Sequence, residues 1–294
     1  MTTRGQFALL LAPGLQILGV DWLKEHPEEY SQFLEVETSE NAYEEDAQIA
    51  GFGLARSKPE GTPFQMDNPI QGATKRYIHE PYGLGWMITR EMWDDDRYGI
   101  MKKMAPELMK GCRQLWEQIG ANVLNNGFST VTTVDGETFF NTAHPLLGGG
   151  TYGNRLSPDA SLSVTAMQDA LMMYEYMVNE RGLKMRISPD TLYIDGSQQF
   201  IAKEILDSPF KPYTGNNEKN TLQGRLDVTV LHYLTSQTRW FVGSKESNKA
   251  KLIWRKKPMT DVSDDPATLG ARHTVYFRLS AGVTHWAGWV GSAP

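Results

Sequence analysis

Apolar residues fall at Tyr98, Met101, Ala105, Leu108, Cys112, Leu115, Ile119 and Val123, in steps of three and four almost throughout. That is the period of one continuous helix face. The predicted helix over residues 98–125 would measure roughly 40 Å at 1.5 Å per residue, long enough to cross a whole small domain. Asp94, Asp95 and Asp96 precede it, where negative charge suits the positive end of a helix dipole. Asn125-Asn126-Gly127 supplies a stop signal. Pro106 falls inside the stripe. An interior proline costs about 3 kcal/mol, so the helix must kink or restart there.

The segment ahead of this helix has the opposite character. Across residues 48–89, glycines recur at Gly51, Gly53, Gly61, Gly72, Gly83 and Gly85, and prolines at Pro59, Pro63, Pro69 and Pro81. Short β-type runs at residues 49–55 and 75–78 flank the turn-rich Lys58-Pro59-Glu60-Gly61. This pattern predicts a long, poorly cored β-hairpin. Two strands alone are marginal in water because one face has nothing to bury against. Something outside the hairpin must cover it.

Further upstream, residues 7–20 (FALLLAPGLQILGV) follow Arg4 and have the look of a signal-peptide core. The stretch is shorter than the ~20 residues a bilayer requires. Pro13-Gly14 breaks it and no small-x-small cleavage site follows. It reads as an N-terminal arm packing on the body or on a neighbouring chain. Residues 21–46 are acidic, but Trp22, Tyr30, Phe33 and Tyr43 interleave the acids. A helix and an extended piece with a solvated acidic face fit this better than a disordered tail.

Downstream, residues 130–140 form a predicted hairpin turning at Asp135-Gly136. Residues 141–157 read as a flexible glycine-rich loop. A second helix is expected over 163–181, with a capping box at Thr165 and Gln168, a stripe of Ala166, Ala170, Met173 and Met177, and a stop at Gly182. A short strand at 192–194 leads to a helix at 197–206 with Phe200, Ile201 and Ile205 inward. A polar loop over 207–224 precedes strands at 226–234, 239–242, 252–254, 273–279 and 283–290. Trp286 and Trp289 read as strand residues closing a core. The order predicts an α+β fold with two intertwined lobes.

Composition excludes several classes of function. Thirty-five acids against 29 basic residues give a net charge of −6, which opposes a broad basic grip on nucleic acid. A single cysteine, Cys112, excludes a disulfide-stapled scaffold. It lies on the helical stripe, as a core residue would and a nucleophile would not. The six histidines show no metal-ligand spacing. Three consecutive aspartates on a helix point about 100° apart, so helix capping explains Asp94, Asp95 and Asp96 better than a cation site. The Gly148-Gly149-Gly150 run lacks the Gly-Lys-Ser/Thr of a phosphate loop. The basic stretch 245–257 alternates with Leu252 and Trp254, as an ordinary strand does. No catalytic constellation and no cofactor site emerges.

Asn125, Gly127, Phe128, Asp135-Gly136, Phe140, His144-Pro145, Asn154 and Leu156-Ser157 together resemble a signature of tailed-bacteriophage major capsid (major head) proteins, closest to the Mu-like major head subunit. The glycine-rich hairpin, then Met87-Ile88-Thr89-Arg90-Glu91 and the Asp94 to Asp96 helix start, resembles the extended loop leading into the spine helix of the HK97-like fold. Residues 189–194 and the helix after them resemble its axial domain, and the closing strands with Gly282 and Trp286 resemble the return to the peripheral domain.

The resemblance implies an HK97-like arrangement of N-terminal arm (1–47), extended β-hairpin loop (48–90), peripheral domain with spine helix (91–158), axial domain (159–271) and return strands (272–294). It also implies an icosahedral head shell around a DNA genome, assembled in the host cytoplasm from hexamers and pentamers of this chain. Portal, scaffolding and decoration proteins would be further partners, with weak non-specific contact to packaged double-stranded DNA and none to membrane. The hairpin residues expected at the subunit interface are Gly53, Arg56, Lys58, Gly61, Phe64, Lys75 and Arg76. Some relatives cross-link through lysine and asparagine. Lys58 and Lys75 lie on the hairpin, but the partner positions do not match and no cross-link is predicted. The hairpin begins by residue 48, which predicts no fused scaffolding segment ahead of it. Two competing readings are an encapsulin-like nanocompartment shell of the same fold and a metal-dependent hydrolase built on Asp94 to Asp96.

Overall fold

The computed structural model describes residues 27–96, 99–212, 218–265 and 270–294. The apolar stretch 7–20 and Tyr98 lie outside the described residues. In chain order the first elements are β1 (Glu35–Thr38), β2 (Tyr43–Ala50), β3 (Ile70–Ile78), β4 (Glu80–Ile88), α1 (Arg90–Asp94) and α2 (Ile100–Asn125). Then come β5 (His144–Pro145), β6 (Thr151–Tyr152), α3 (Val164–Glu175), β7 (Thr191–Ile194) and α4 (Gln199–Leu206). The chain closes with β8 (Asp227–Val230), β9 (Trp240–Gly243), β10 (Ala250–Asp265), β11 (Gly270–Val283) and β12 (Trp289–Ser292).

Two four-stranded sheets carry the fold. One has the order β1-β10-β11-β4 and is antiparallel except for β1 beside β10. The other runs β12-β9-β7-β8, with β7 and β8 parallel. Helix α2 lies across β11 and β4 of the first sheet, while α3 packs on β12 and α4 on β8. The long β10–β11 hairpin spans both sides of the boundary expected at residue 271.

The long helix forms as one piece. It runs through Pro106 without restarting, so the proline forfeits one backbone bond inside a helix held by packing. Of the three aspartates, Asp94 ends α1 and Asp96 Oδ1 accepts the Ile100 N–H at 2.9 Å. The buried face is turned slightly from the expected stripe. Met109, Trp116 and Leu124 join Ala105, Leu108, Cys112 and Val123 inside, while Leu115 and Ile119 are half-buried. The reason is Trp116, whose ring sits edge-on to Trp254 at 5.6 Å and to Phe277 at 5.3 Å and takes the centre of the interface with the sheet. Burial pushes the Cys112 thiol up to about 11, as expected of a core residue.

Several local expectations are corrected. Helix α3 is capped by Ser163, whose hydroxyl accepts the Ala166 N–H at 3.2 Å, and not by a box at Thr165 and Gln168. It ends at Glu175. The Gly182 stop belongs to a turn in which Val178 bridges Lys184. In α4, Ala202, Ile205 and Leu206 are buried, whereas Phe200 is 70% exposed and Ile201 also faces solvent. A two-turn helix presents one face to the body, and its apolar residues cover two. Residues 283–290 are not one strand, since β11 ends at Val283 and β12 begins at Trp289.

The glycine-rich segment 141–157 is also ordered. Within it β5 and β6 pair, and Gly149 and Gly150 adopt φ of 93° and 86° at the turn. That left-handed backbone is open to glycine at little cost.

Candidate subunit interface

The expected hairpin is real but shifted and shorter. Strand β2 pairs antiparallel with β3 from Tyr43↔Ile78 to Ala50↔Ile70. Strand β4, expected to be part of it, pairs instead with β11 in the first sheet. The two halves of the hairpin differ. The strands are bolted to the body of their own chain, whereas every residue from 51 to 69 is exposed.

At the hairpin root, Tyr77 is buried and its hydroxyl lies 2.6 Å from Thr284 Oγ1, which in turn donates to Asp46 Oδ2 at 2.5 Å. Lys251 Nζ pairs with the same Asp46 oxygen at 2.6 Å. Burial raises the Asp46 carboxyl, but the Lys251 and Thr284 contacts outweigh it and hold the group below its ordinary range. Arg76 reaches across to Glu45 at 2.6 Å and stacks on Tyr43 at 4.3 Å. Lys75 donates to the Thr132 carbonyl, so it turns inward onto its own chain. Burial lowers its ammonium, with Asp135 partly opposing.

At the neck, one side chain clamps both strands. Arg181 donates from Nε to the Gly51 carbonyl at 3.0 Å and from its terminal nitrogen to the Asn68 carbonyl at 2.5 Å. It also stands 3.5 Å from Asp67 Oδ1. Beside it Glu180 holds His285 at 2.6 Å and the Leu147 N–H at 3.1 Å. Burial raises the Glu180 carboxyl, but the bonds from His285, Gln48 and Leu147 outweigh it and keep the group below its ordinary range.

Beyond the neck the loop has few contacts of its own. Asp67 Oδ2 accepts the Gly53 N–H at 2.7 Å. Lys58 lies 4.7 Å from the centre of the Phe64 ring, and Gly61 turns with φ of 78°. Arg56 is exposed. Phe52, Leu54, Phe64 and Met66 are between 64% and 88% exposed. Four large apolar side chains exposed on one loop are more apolar surface than scattered single residues would give.

The signature residues converge just below. Asn125, last in α2, holds Tyr233 and Thr235 through its amide at 3.0 and 2.9 Å. A Cβ at Gly127 would come within 2.8 Å of the Phe140 ring, so only glycine lets the helix end close on that ring. Phe140 is fully buried beside Phe128, Phe139 and Phe241. Asp135 and Gly136 (φ 88°) make the turn, and Asp135 Oδ2 lies 2.7 Å from His144 Nδ1. The other ring nitrogen of His144 faces Asn154 Oδ1 at 3.1 Å, and Asn154 Nδ2 donates to the Phe139 carbonyl at 2.9 Å. Pro145 pairs with Thr151 in the small hairpin. Burial raises the Asp135 carboxyl, but bonds from His144 and Thr133 outweigh it and hold it below its ordinary range. These residues form a buried polar knot with no open side toward a ligand. Among the described residues no group of three His, Cys, Asp or Glu could hold a metal.

Sequence reasoning missed Arg181, Glu180, Asp46 and Lys251. Only the Asn179-Glu180-Arg181-Gly182 string carried a signal, and it reads as a helix end, not as a clamp on a distant hairpin.

The family model described as phage capsid protein matches residues 72–292. The chain belongs to that family. Similar solved structures cover most of this capsid protein. That of Microbacterium phage Oxtober96 covers 92% of this chain and 91% of its own, at 10% identity and a TM-score of 0.60. The capsid of bacteriophage JBD30, decorated with minor capsid protein trimers, covers 71% and 92% at 13% identity and 0.58. A virus-like particle from Pyrococcus furiosus covers 96% and 98% at 9% identity and 0.58. By direct sequence comparison no curated protein matches. The α+β fold is therefore that of HK97-like capsid proteins. This is a major capsid protein of a phage head shell, a structural component of the virion and not an enzyme. The hydrolase reading falls with that assignment.

Proposed function

We propose that this capsid protein is of the Mu-like major head type and that residues 51–69 are laid over an adjacent subunit. The exposed apolar loop carries this reading. It is held at its neck by Arg181, yet none of its residues is buried among the described residues, and apolar side chains left in water favour cover by a neighbouring chain. Repeated contacts of this head-to-tail kind close into hexamers and pentamers when the rotation permits. The Mu-like assignment is supported by the connected knot of Asn125, Gly127, Asp135, Phe140, His144 and Asn154. In this reading the peripheral part combines α2 with the β1-β10-β11-β4 sheet, and the axial part is built on β7, β8 and β9. Portal, scaffolding and decoration proteins complete the particle, and packaged DNA touches an acidic wall weakly. The JBD30 capsid carries minor capsid protein trimers in the same role of decoration.

Deleting residues 58–68 tests the loop directly. The shortened subunit is expected to keep its circular dichroism and melting behaviour, while electron microscopy shows few or no closed shells beside wild-type controls. Normal shells from the deletion would remove the loop from the assembly mechanism.

A further inference from the structure

Helix α3 carries more apolar surface than its own chain uses. Ala166, Met167, Ala170 and Tyr174 bury one face against the body. Asp169, Met172, Met173 and the capping residue Tyr176 recur at the spacing of a second face of the same helix. That face lines an open recess of about 560 Å³, whose other wall includes Tyr152 and Leu156. Met172 and Tyr176 are 54% and 56% exposed there, so the recess is reached from solvent. Its floor is fixed. The Tyr152 ring stacks on Trp286 at 5.6 Å, and its hydroxyl donates to the Met173 carbonyl at 2.5 Å.

The recess also carries a carboxylate that its own chain leaves unanswered. Asp169 is exposed and has no hydrogen bond or ion pair among the described residues. Arg155, the cation lining the same recess, is taken by Asp159 at 3.1 Å. The complementary features stand on the exposed loop. Phe52, Leu54 and Arg56 fall at alternate positions, which an extended segment places on one side. Phe52 and Leu54 are 64% and 77% exposed. Among the loop's charges, Lys58 lies over Phe64 and Asp67 accepts the Gly53 N–H. Arg56 and, at the tip, Glu60 have no partner among the described residues. An extended chain covers about 13 Å from Phe52 to Arg56. The helix rises about 10 Å between Asp169 and Tyr176. Two apolar groups followed by a guanidinium therefore match an apolar wall followed by a carboxylate in kind, order and spacing. In its own chain the loop does not fill the recess, because residues 51–69, Met172 and Tyr176 are all exposed.

We infer that the recess over α3 receives the loop of a second copy of this chain, with Phe52 and Leu54 against Met172, Met173 and Tyr176, and Arg56 against Asp169. The inference rests on the reading that residues 51–69 lie over an adjacent subunit, and adds where they seat. An apolar patch that fits a pocket elsewhere on the same molecule makes a head-to-tail contact, the kind that a ring repeats. Methionines suit the receiving side, since their unbranched side chains adapt to an incoming group. The charge pair at the rim contributes register and choice of partner more than strength.

The test uses the full chain under conditions where wild type forms shells. Asp169→Arg and Arg56→Asp are each expected to raise the subunit concentration needed for shells by about fivefold or more. The free subunits should melt as wild type does, because both residues are exposed. The double variant restores the pair with its signs exchanged and should assemble close to the wild-type concentration. A second measurement reads the apolar half. Shells made from an equal mixture of Leu54→Cys and Met172→Cys chains should give, on mild oxidation, a disulfide-linked dimer containing one of each. Cys112 is buried and stays out of that reaction. Single variants that assemble like wild type, or a mixture that gives no such dimer, would overturn the inference alone and leave the loop mechanism standing. A free subunit carrying both cysteines that closes a disulfide within itself would overturn it too, by giving the recess to the chain's own loop. Rescue of Asp169→Arg by Arg4→Asp, and not by Arg56→Asp, would give the recess to the N-terminal segment instead. If deletion of residues 58–68 leaves shells normal, the loop reading itself fails and this inference with it.

Discussion

His144 shows what a single buried residue can organise. Its ring stacks on Trp286 at 5.0 Å, and its two nitrogens face Asp135 and Asn154. His144→Ala would leave a buried carboxylate without its partner and is expected to cost about 3 kcal/mol, read as a shifted denaturation midpoint of the unassembled subunit. Asp135 also makes stability depend on pH. Its folded pKa is depressed, so its contribution is fully present above the unfolded value near ~3.9 and is lost as pH falls through the folded value. Acid titration of wild type should therefore show a loss of stability below about pH 4 that Asp135→Asn flattens. In the sequence these positions stood out only through their resemblance to a family pattern. Why they matter was not legible, because spacing along the chain cannot show that a turn, a small hairpin and the end of α2 meet at one imidazole. Arg181 is the reverse case. Its surroundings in the sequence read only as a helix end, yet it ties Gly51 to Asn68. Arg181→Ala should leave the subunit melting temperature nearly unchanged while protease cleaves sooner within residues 51–69. Unchanged cleavage would mean that the neck holds without it.

The elements were read correctly where one strong period ruled and misread where two faces competed. Helix α2 has a single apolar face over many turns, so the sequence showed it to within two residues at its start. What the period could not decide was which of Leu115 and Trp116 takes the centre, because adjacent positions on a helix share the boundary of a face. The edge-on packing of Trp116 on Trp254 and Phe277 decides it. Trp116→Ala is expected to cost about 3–5 kcal/mol in the unassembled subunit, whereas Leu115→Ala should cost clearly less. In α4 the competition goes the other way. Phe200 and Ile201 look like core residues, but two turns have only one inward face, and Ala202, Ile205 and Leu206 occupy it. The hairpin misled for a related reason. Glycines in β4 resemble those of the loop ahead of it, yet Gly83 and Gly85 lie against β11, where added Cβ atoms would meet the Val275 carbonyl at 3.3 Å and Thr274 Cγ2 at 2.7 Å. Those glycines permit close strand contact and do not mark a loop.

At the scale of the whole subunit, the length suggests two domains, but the buried residues form one continuous cluster. It runs from Tyr30 and Phe33 through Trp116 of α2 and Trp254 of the first sheet to Tyr193, Phe241 and Trp289 of the second. Aromatic contacts extend the cluster beyond the second sheet: Phe139 approaches Trp289 at 6.0 Å, and Trp289 stacks on Tyr193 at 5.2 Å, which reaches Phe33, two residues ahead of β1, at 6.1 Å. Stability shared through one core melts as one unit, because neither sheet keeps its packing when the other leaves. Calorimetry of the unassembled subunit should therefore show a single transition, against the two that independent domains would give. Residues 51–69 stand outside that unit, since every one of them is exposed among the described residues. Hydrogen exchange should find their amides nearly unprotected in the free subunit while those of α2 and β11 exchange last. In assembled shells the same loop should become protected, with little change in α2. Loop amides already slow in the free subunit, or still fast in the shell, would break the link between exposure in the monomer and burial by a neighbour. This pairing of one cooperative core with one uncovered loop is how a single chain can be stable alone and still be drawn into a shell.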